Sequence, residues 1–64
     1  MKCNLKQIRN KTNITQNDIS KHLNIRQTTV SEWENGNTIP NLKKAYELAD
    51  YLNVKVTDIW KKKN

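Results

Sequence analysis

One cysteine and one histidine are all that these 64 residues offer toward a disulfide or a zinc site. Cys3 alone cannot build an internal disulfide framework, and with His22 it falls short of the four ligands of a structural zinc site. Glycine and proline also occur once each, as Gly36 and Pro40. No apolar run approaches the roughly 20 residues of a membrane span. The segment Met1-Lys2-Cys3-Asn4-Leu5-Lys6 lacks the apolar stretch of a secretory leader, so a cytoplasmic location is expected. Residues 1–64 make one domain, and only 34% of them are hydrophobic. A chain this short buries only about 60% of the surface its unfolded form exposes. With disulfides and metal excluded, helix packing and self-association are the remaining means of stabilisation. So small a core has little volume to give to a substrate pocket, and the chain carries no nucleophile–base pair, metal cluster or phosphate loop. No enzyme, cofactor or metal is expected.

What the chain has in excess is positive charge. Twelve Lys and Arg stand against six Asp and Glu, a formal net charge of +6. Lys2, Lys6, Arg9, Lys11, Lys21 and Arg26 face only Asp18 in residues 1–30, a local balance of +5. Residues 31–60 carry Lys43, Lys44 and Lys55 against Glu32, Glu34, Glu47, Asp50 and Asp58, a balance of −2. Lys61-Lys62-Lys63 then adds +3. A positive half beside a near-neutral one suits a polyanion-facing surface, although solubility alone would also account for the excess.

The apolar spacing is helical throughout. Leu5 and Ile8 mark a first helix over about 3–11. Thr15, with Asp18 three residues on, has the form of a capping box opening a second helix over 16–23, where Ile19 and Leu23 share a face. Asn24 can close that helix in the left-handed conformation. A third helix over 27–35 turns Val30 and Trp33 inward and stops at Gly36. Asn35-Gly36 could mark a hairpin turn, but no alternating strand pattern flanks it. After Pro40, the stripe Leu42, Ala45, Tyr46, Ala49 and Leu52 gives a fourth helix over 41–53, with Asn53 as its stop. Val54, Val56, Ile59 and Trp60 lead into a last helix over 56–61. The expected class is all-α, a compact bundle of five short helices.

The informative feature is the tight joint Asn24-Ile25-Arg26 between the second and third helices, which can set one steeply across the other. With Ile19, Leu23, Val30 and Trp33 inside, the third helix turns Gln27, Thr28, Ser31, Glu32 and Asn35 outward, flanked by Arg26. That polar face suits the hydrogen-bonding edges of base pairs in a major groove wide enough for one helix.

From Leu5 to Trp60 the chain resembles the Xre/Cro-type helix-turn-helix domains of phage repressors and bacterial regulators, which have the lambda-repressor-like DNA-binding fold. The resemblance rests on Leu5-Lys6-Gln7-Ile8-Arg9, Ile14-Thr15-Gln16-Asn17-Asp18-Ile19-Ser20 and Val30-Ser31-Glu32-Trp33-Glu34-Asn35-Gly36, followed by Pro40, the Leu42–Leu52 helix and Val54-Lys55-Val56-Thr57-Asp58-Ile59. Each motif is degenerate, but their order and spacing together are specific. Ser20 and Asn24 stand where the family usually has alanine and glycine, and Glu32 stands where it often has a polar or basic residue.

The resemblance implies sequence-specific binding of double-stranded operator DNA, usually by a homodimer, to regulate transcription. By position, it makes Gln27 and Thr28 the main base readers, with Glu32 and the small Ser31 on the same face. Gln16 matches a position that contacts the DNA backbone and buttresses the recognition helix. Asn35, Asn37 and Thr38 match backbone-contacting positions, and Arg26, adjoining the recognition helix, is expected to meet phosphate as well. Arg9 and Glu34 match a partly buried ion pair. Trp60, with Tyr51, Val54 and Val56, could form the dimer surface, or Trp60 could fold back over its own core. The expected function is a repressor or Cro-like component acting on an inverted-repeat operator in a prokaryotic or phage setting, associated with the nucleoid. The alternative is a protein-interaction module of the same fold, such as an antitoxin or accessory factor.

Overall fold

In the computed structural model, which describes residues 2–61, the helices are α1 (Leu5–Thr12), α2 (Gln16–Leu23), α3 (Gln27–Glu34), α4 (Leu42–Leu52) and α5 (Val56–Ile59). Met1 and Lys62–Asn64, which hold two of the lysines at the end, lie outside the described residues. The first four helices stop by one device. Asn13, Asn24 and Asn53 sit in the left-handed region at φ 59°, 56° and 56°, and Gly36 sits at φ 76°. The amide of the next residue then reaches back five positions. Ile14 donates to the Arg9 carbonyl at 3.1 Å, Ile25 to Ser20 at 2.9 Å, Asn37 to Glu32 at 3.0 Å and Val54 to Ala49 at 3.0 Å. This is the Schellman arrangement, which satisfies carbonyls left over at a helix end. Ile14, Ile25 and Val54 also rest on the hydrophobic core, so each asparagine stop doubles as a packing point.

The starts of α2 and α4 are capped from side chains. Thr15 Oγ1 accepts from the Asp18 amide and Asp18 Oδ2 accepts from the Thr15 amide, both at 3.0 Å, closing the capping box expected for α2. Hydrogen bonding by Thr15, first from its backbone amide and then from its side chain, holds the Asp18 carboxyl below its ordinary range. A lowered folded value means that the stabilisation is present above the unfolded value of about 3.9. It fades as pH falls through the folded value. Thr15→Ala should cost about 1 kcal/mol, read as a lower urea midpoint with unchanged slope; an unshifted midpoint would contradict the cap's role. Asn41 Oδ1 caps α4 by accepting from the Lys44 amide at 2.9 Å. Lys44 Nζ in turn donates to the Leu23 carbonyl at 2.7 Å, tying α4 to the end of α2.

The core lies where the helices cross. Leu5, Ile19, Leu23, Val30, Leu48 and Ile59 are sealed from solvent, with Trp33, Ala45, Ala49, Leu52 and Trp60 closing around them. Trp33 and Trp60 meet edge to face, with ring centroids 6.4 Å apart and planes at 73°. Ser20, the buried polar residue, donates from Oγ to the Asn17 carbonyl at 2.8 Å.

The structure differs from the sequence reading at both ends and along one helix face. Lys2–Cys3 (β1) and Trp60–Lys61 (β2) form a short antiparallel pair, Lys2 opposite Lys61 and Cys3 opposite Trp60, where helices over 3–11 and 56–61 were expected to begin and end. The Asn4 amide anchors the crossing by donating to the Ile59 carbonyl at 2.7 Å. Trp60 therefore leaves α5 in extended backbone and folds inward. Leu42 and Tyr46 lie on the expected apolar stripe, yet they are 70% and 57% exposed because no neighbouring element covers that part of α4. Burial pushes the Cys3 thiol up, so at neutral pH it stays protonated.

Candidate nucleic-acid interface

The joint between α2 and α3 is the Asn24-Ile25-Arg26 turn. Asn24 reverses the chain, and Ile25 packs on the core as the turn's anchor. Arg26, in extended backbone, precedes α3 with no side-chain capping bond. Val30 and Trp33 fix the inner side of α3 at 0% and 4% exposure. With that side pinned, helical geometry turns Gln27, Thr28 and Glu32 to solvent, and Asn35 continues the row just past the helix end. Ser31 is half-buried on the flank of this row. Asn37 and Thr38 are exposed in the loop that follows. The four positions named from the resemblance as base readers thus form one polar strip, three of them exposed, and Arg26, Asn35, Asn37 and Thr38, the residues expected to contact the DNA backbone, lie at its two ends.

Behind the strip runs a chain of side-chain hydrogen bonds. Arg9 Nε donates to Glu34 Oε2 at 2.6 Å and its Nη2 to Oε1 at 3.3 Å, a two-pronged pair with side chains only 14% and 6% exposed. Arg9 also donates through Nη1 to the Ile14 carbonyl at 3.3 Å, so the guanidinium joins α1, the turn after it and α3. Glu34 Oε1 accepts a further bond from Gln16 Nε2 at 2.8 Å. Gln16 Oε1 then accepts from Gln27 Nε2 at 3.4 Å. Sequence reasoning placed Arg9 with Glu34 and had Gln16 contact the DNA backbone and buttress α3, but it did not name Glu34 as the partner of Gln16. Eighteen residues separate the two, and no local pattern links them.

Of the suggested dimer residues, Val56 and Trp60 line one groove together, and Tyr51 and Val54 lie outside its lining. Trp60 is 9% exposed and belongs to the core. Tyr51 is half-buried and stacks on His22, ring centroids 4.0 Å apart and planes at 18°. Val54 and Val56 are half-buried against the core. The exposed large apolar residues are instead Ile39, Leu42 and Tyr46. Ile39 and Leu42 border a shallow groove of about 250 Å³, completed by Pro40, Ala45, Val56 and the edge of Trp60. Among the described residues no group of His, Cys, Asp or Glu is placed to hold a metal ion. No described helix is long and apolar enough to cross a membrane.

A family model described as helix-turn-helix matches residues 5–59, the span of the five helices. An uncharacterized HTH-type transcriptional regulator of Archaeoglobus fulgidus is 37% identical over 60 residues, covering 94% of this chain and 84% of that protein. One of the same description from Methanocaldococcus jannaschii is 38% identical, covering 94% and 91%. The crystal structure of a transcriptional regulator from Listeria innocua superposes with a TM-score of 0.78 at 23% identity. It covers 92% of this chain, which spans 62% of that longer one, and the likeness is one of fold.

Proposed function

The chain belongs to the helix-turn-helix family of Xre type, and from that premise we propose that it is a repressor reading an inverted-repeat operator as a homodimer. The chain is a DNA-binding regulator of transcription, in a family that is not one of enzymes. The exposed strip on α3 supports operator reading. Gln27, Thr28 and Glu32 stand clear of the core on a helix braced from behind by Val30 and Trp33. An α-helix fits the major groove, where a glutamine amide pairs with adenine through N6 and N7. Backbone contacts from Arg26, Gln16, Asn35, Asn37 and Thr38 would set the helix's depth without reading sequence.

The homodimer would form through the Ile39–Leu42 face. A two-fold interface needs a patch complementary to itself, and here protruding Ile39 and Leu42 border an apolar groove that could receive their counterparts. The same loop carries Asn37 and Thr38, so joining two copies there would bring these residues of both copies close to the interface. Such an assembly would act on the nucleoid, in the cytoplasm of a prokaryotic cell.

Selection of bound duplexes from a random pool tests the reading. The expected product is an inverted repeat with half-sites about 34 Å apart. Gln27→Ala should then lose about 1–3 kcal/mol of preference at one base pair per half-site, while weak, salt-sensitive binding to any duplex persists. Enrichment of a single half-site would refute the homodimer, and no enrichment at all would refute operator reading.

A further inference from the structure

The hydrogen-bond chain behind α3 has a direction. A carboxylate can accept but not donate, and a guanidinium can donate but not accept. Glu34, held by Arg9, therefore requires Gln16 to turn its NH2 group toward Oε1, as found at 2.8 Å. That leaves the Gln16 carbonyl oxygen toward Gln27, which must answer with its own NH2 group, as found at 3.4 Å. Each amide passes its polarity to the next. Which end of each amide is nitrogen follows from the charged pair at the head of the chain.

Resting on the reading of Gln27 as a base reader, we infer that Glu34 is a specificity-determining positioning residue, setting the donor–acceptor order that Gln27 offers to a base pair. One N–H of Gln27 goes to Gln16. The other N–H and Oε1 remain for DNA, with the nitrogen on the α2 side and the oxygen away from it. Adenine presents an acceptor at N7 and a donor at N6, and the order of the two along the groove reverses between A·T and T·A. An amide of fixed polarity therefore matches one orientation and opposes the other. Glu34 decides which strand carries the adenine without touching DNA.

In Glu34→Gln the new side chain gives its oxygen to Arg9 and its NH2 group to Gln16, which turns both downstream amides over. Gln16→Met cuts the chain and leaves the Arg9–Glu34 pair in place. The first measurement needs no DNA. In nitrogen–proton correlation spectra, the Gln16 side-chain NH2 should be displaced from that of exposed Gln7, and in Glu34→Gln the difference should collapse. A Gln16 signal that coincides with Gln7 in the wild type overturns the inference, whatever the protein does with DNA.

The second measurement takes the base pair marked by Gln27→Ala and compares duplexes carrying A·T and T·A there. The wild type should favour one orientation by roughly tenfold, within the range of a bidentate contact. In Glu34→Gln the ratio should fall at least about fivefold or reverse. Gln16→Met should show the fall without the reversal, and it decides the matter if Glu34→Gln does not fold. An unchanged ratio in the folded variants overturns the inference while leaving operator reading intact. If Gln27→Ala marks no base pair, the base-reader assignment fails instead, and the positioning role of Glu34 fails with it.

Discussion

Arg9→Met should remove a large part of the stability of this fold. Its partner Glu34 has a side chain only 6% exposed, and loss of the guanidinium strands a carboxylate there with Gln16 as its remaining hydrogen-bond partner. Breaking a buried pair from one side costs about 3–5 kcal/mol. Stabilities of roughly 0.05–0.15 kcal/mol per residue give a 64-residue domain about 3–10 kcal/mol in all. The loss is therefore comparable with the whole. Urea denaturation followed by circular dichroism measures it. The double variant Arg9→Met with Glu34→Leu should recover most of the stability, because a buried pair replaced by apolar groups of similar size is often neutral. If the single variant melts like the wild type, the pair is a solvated one worth about 0–1 kcal/mol.

Trp33→Ala is the second variant of that size. Trp33 is 4% exposed, holds α3 to the core, and supplies one half of the edge-to-face contact with Trp60. Cutting a buried tryptophan to alanine costs about 3–5 kcal/mol, from lost burial and the cavity left behind. It should also loosen the polar strip on α3 before the rest of the domain, since Val30 is then the one fully buried anchor on α3. Thermal unfolding reads the first effect, and hydrogen exchange of the α3 amides against those of α4 reads the second. A uniform rise in exchange would mean that α3 has no independent hold on Trp33. Trp33→Phe should retain much of the stability, because the ring still fills most of the site.

Much of this molecule is written locally and some of it is not. Thr15 with Asp18, Asn24, Gly36 and Asn53 announce their helix ends because capping depends on residues within one turn. Asn13 followed by Ile14 carries the same signal as Asn24-Ile25 and Asn53-Val54, so the end of α1 was equally readable. The strand pair at the chain ends was not, because two residues are too few to show alternation, and the pairing joins positions nearly the whole chain apart. Leu42 and Tyr46 mark the limit of periodicity. Spacing gives a residue's angle on a helix but not whether another element lies opposite. The α3 strip was legible because Val30 and Trp33 define its reverse side. The bond between Gln16 and Glu34 was invisible until α2 and α3 were set across each other.

The pairing of Lys2–Cys3 with Trp60–Lys61 brings the two termini of the folded body side by side. A short flexible linker could therefore join them, and the backbone could be reopened elsewhere, for instance in the exposed Asn37–Ile39 loop, giving a circular permutant with the same interior. By the same adjacency, the domain could be spliced into a surface loop of a host protein without prying that loop apart.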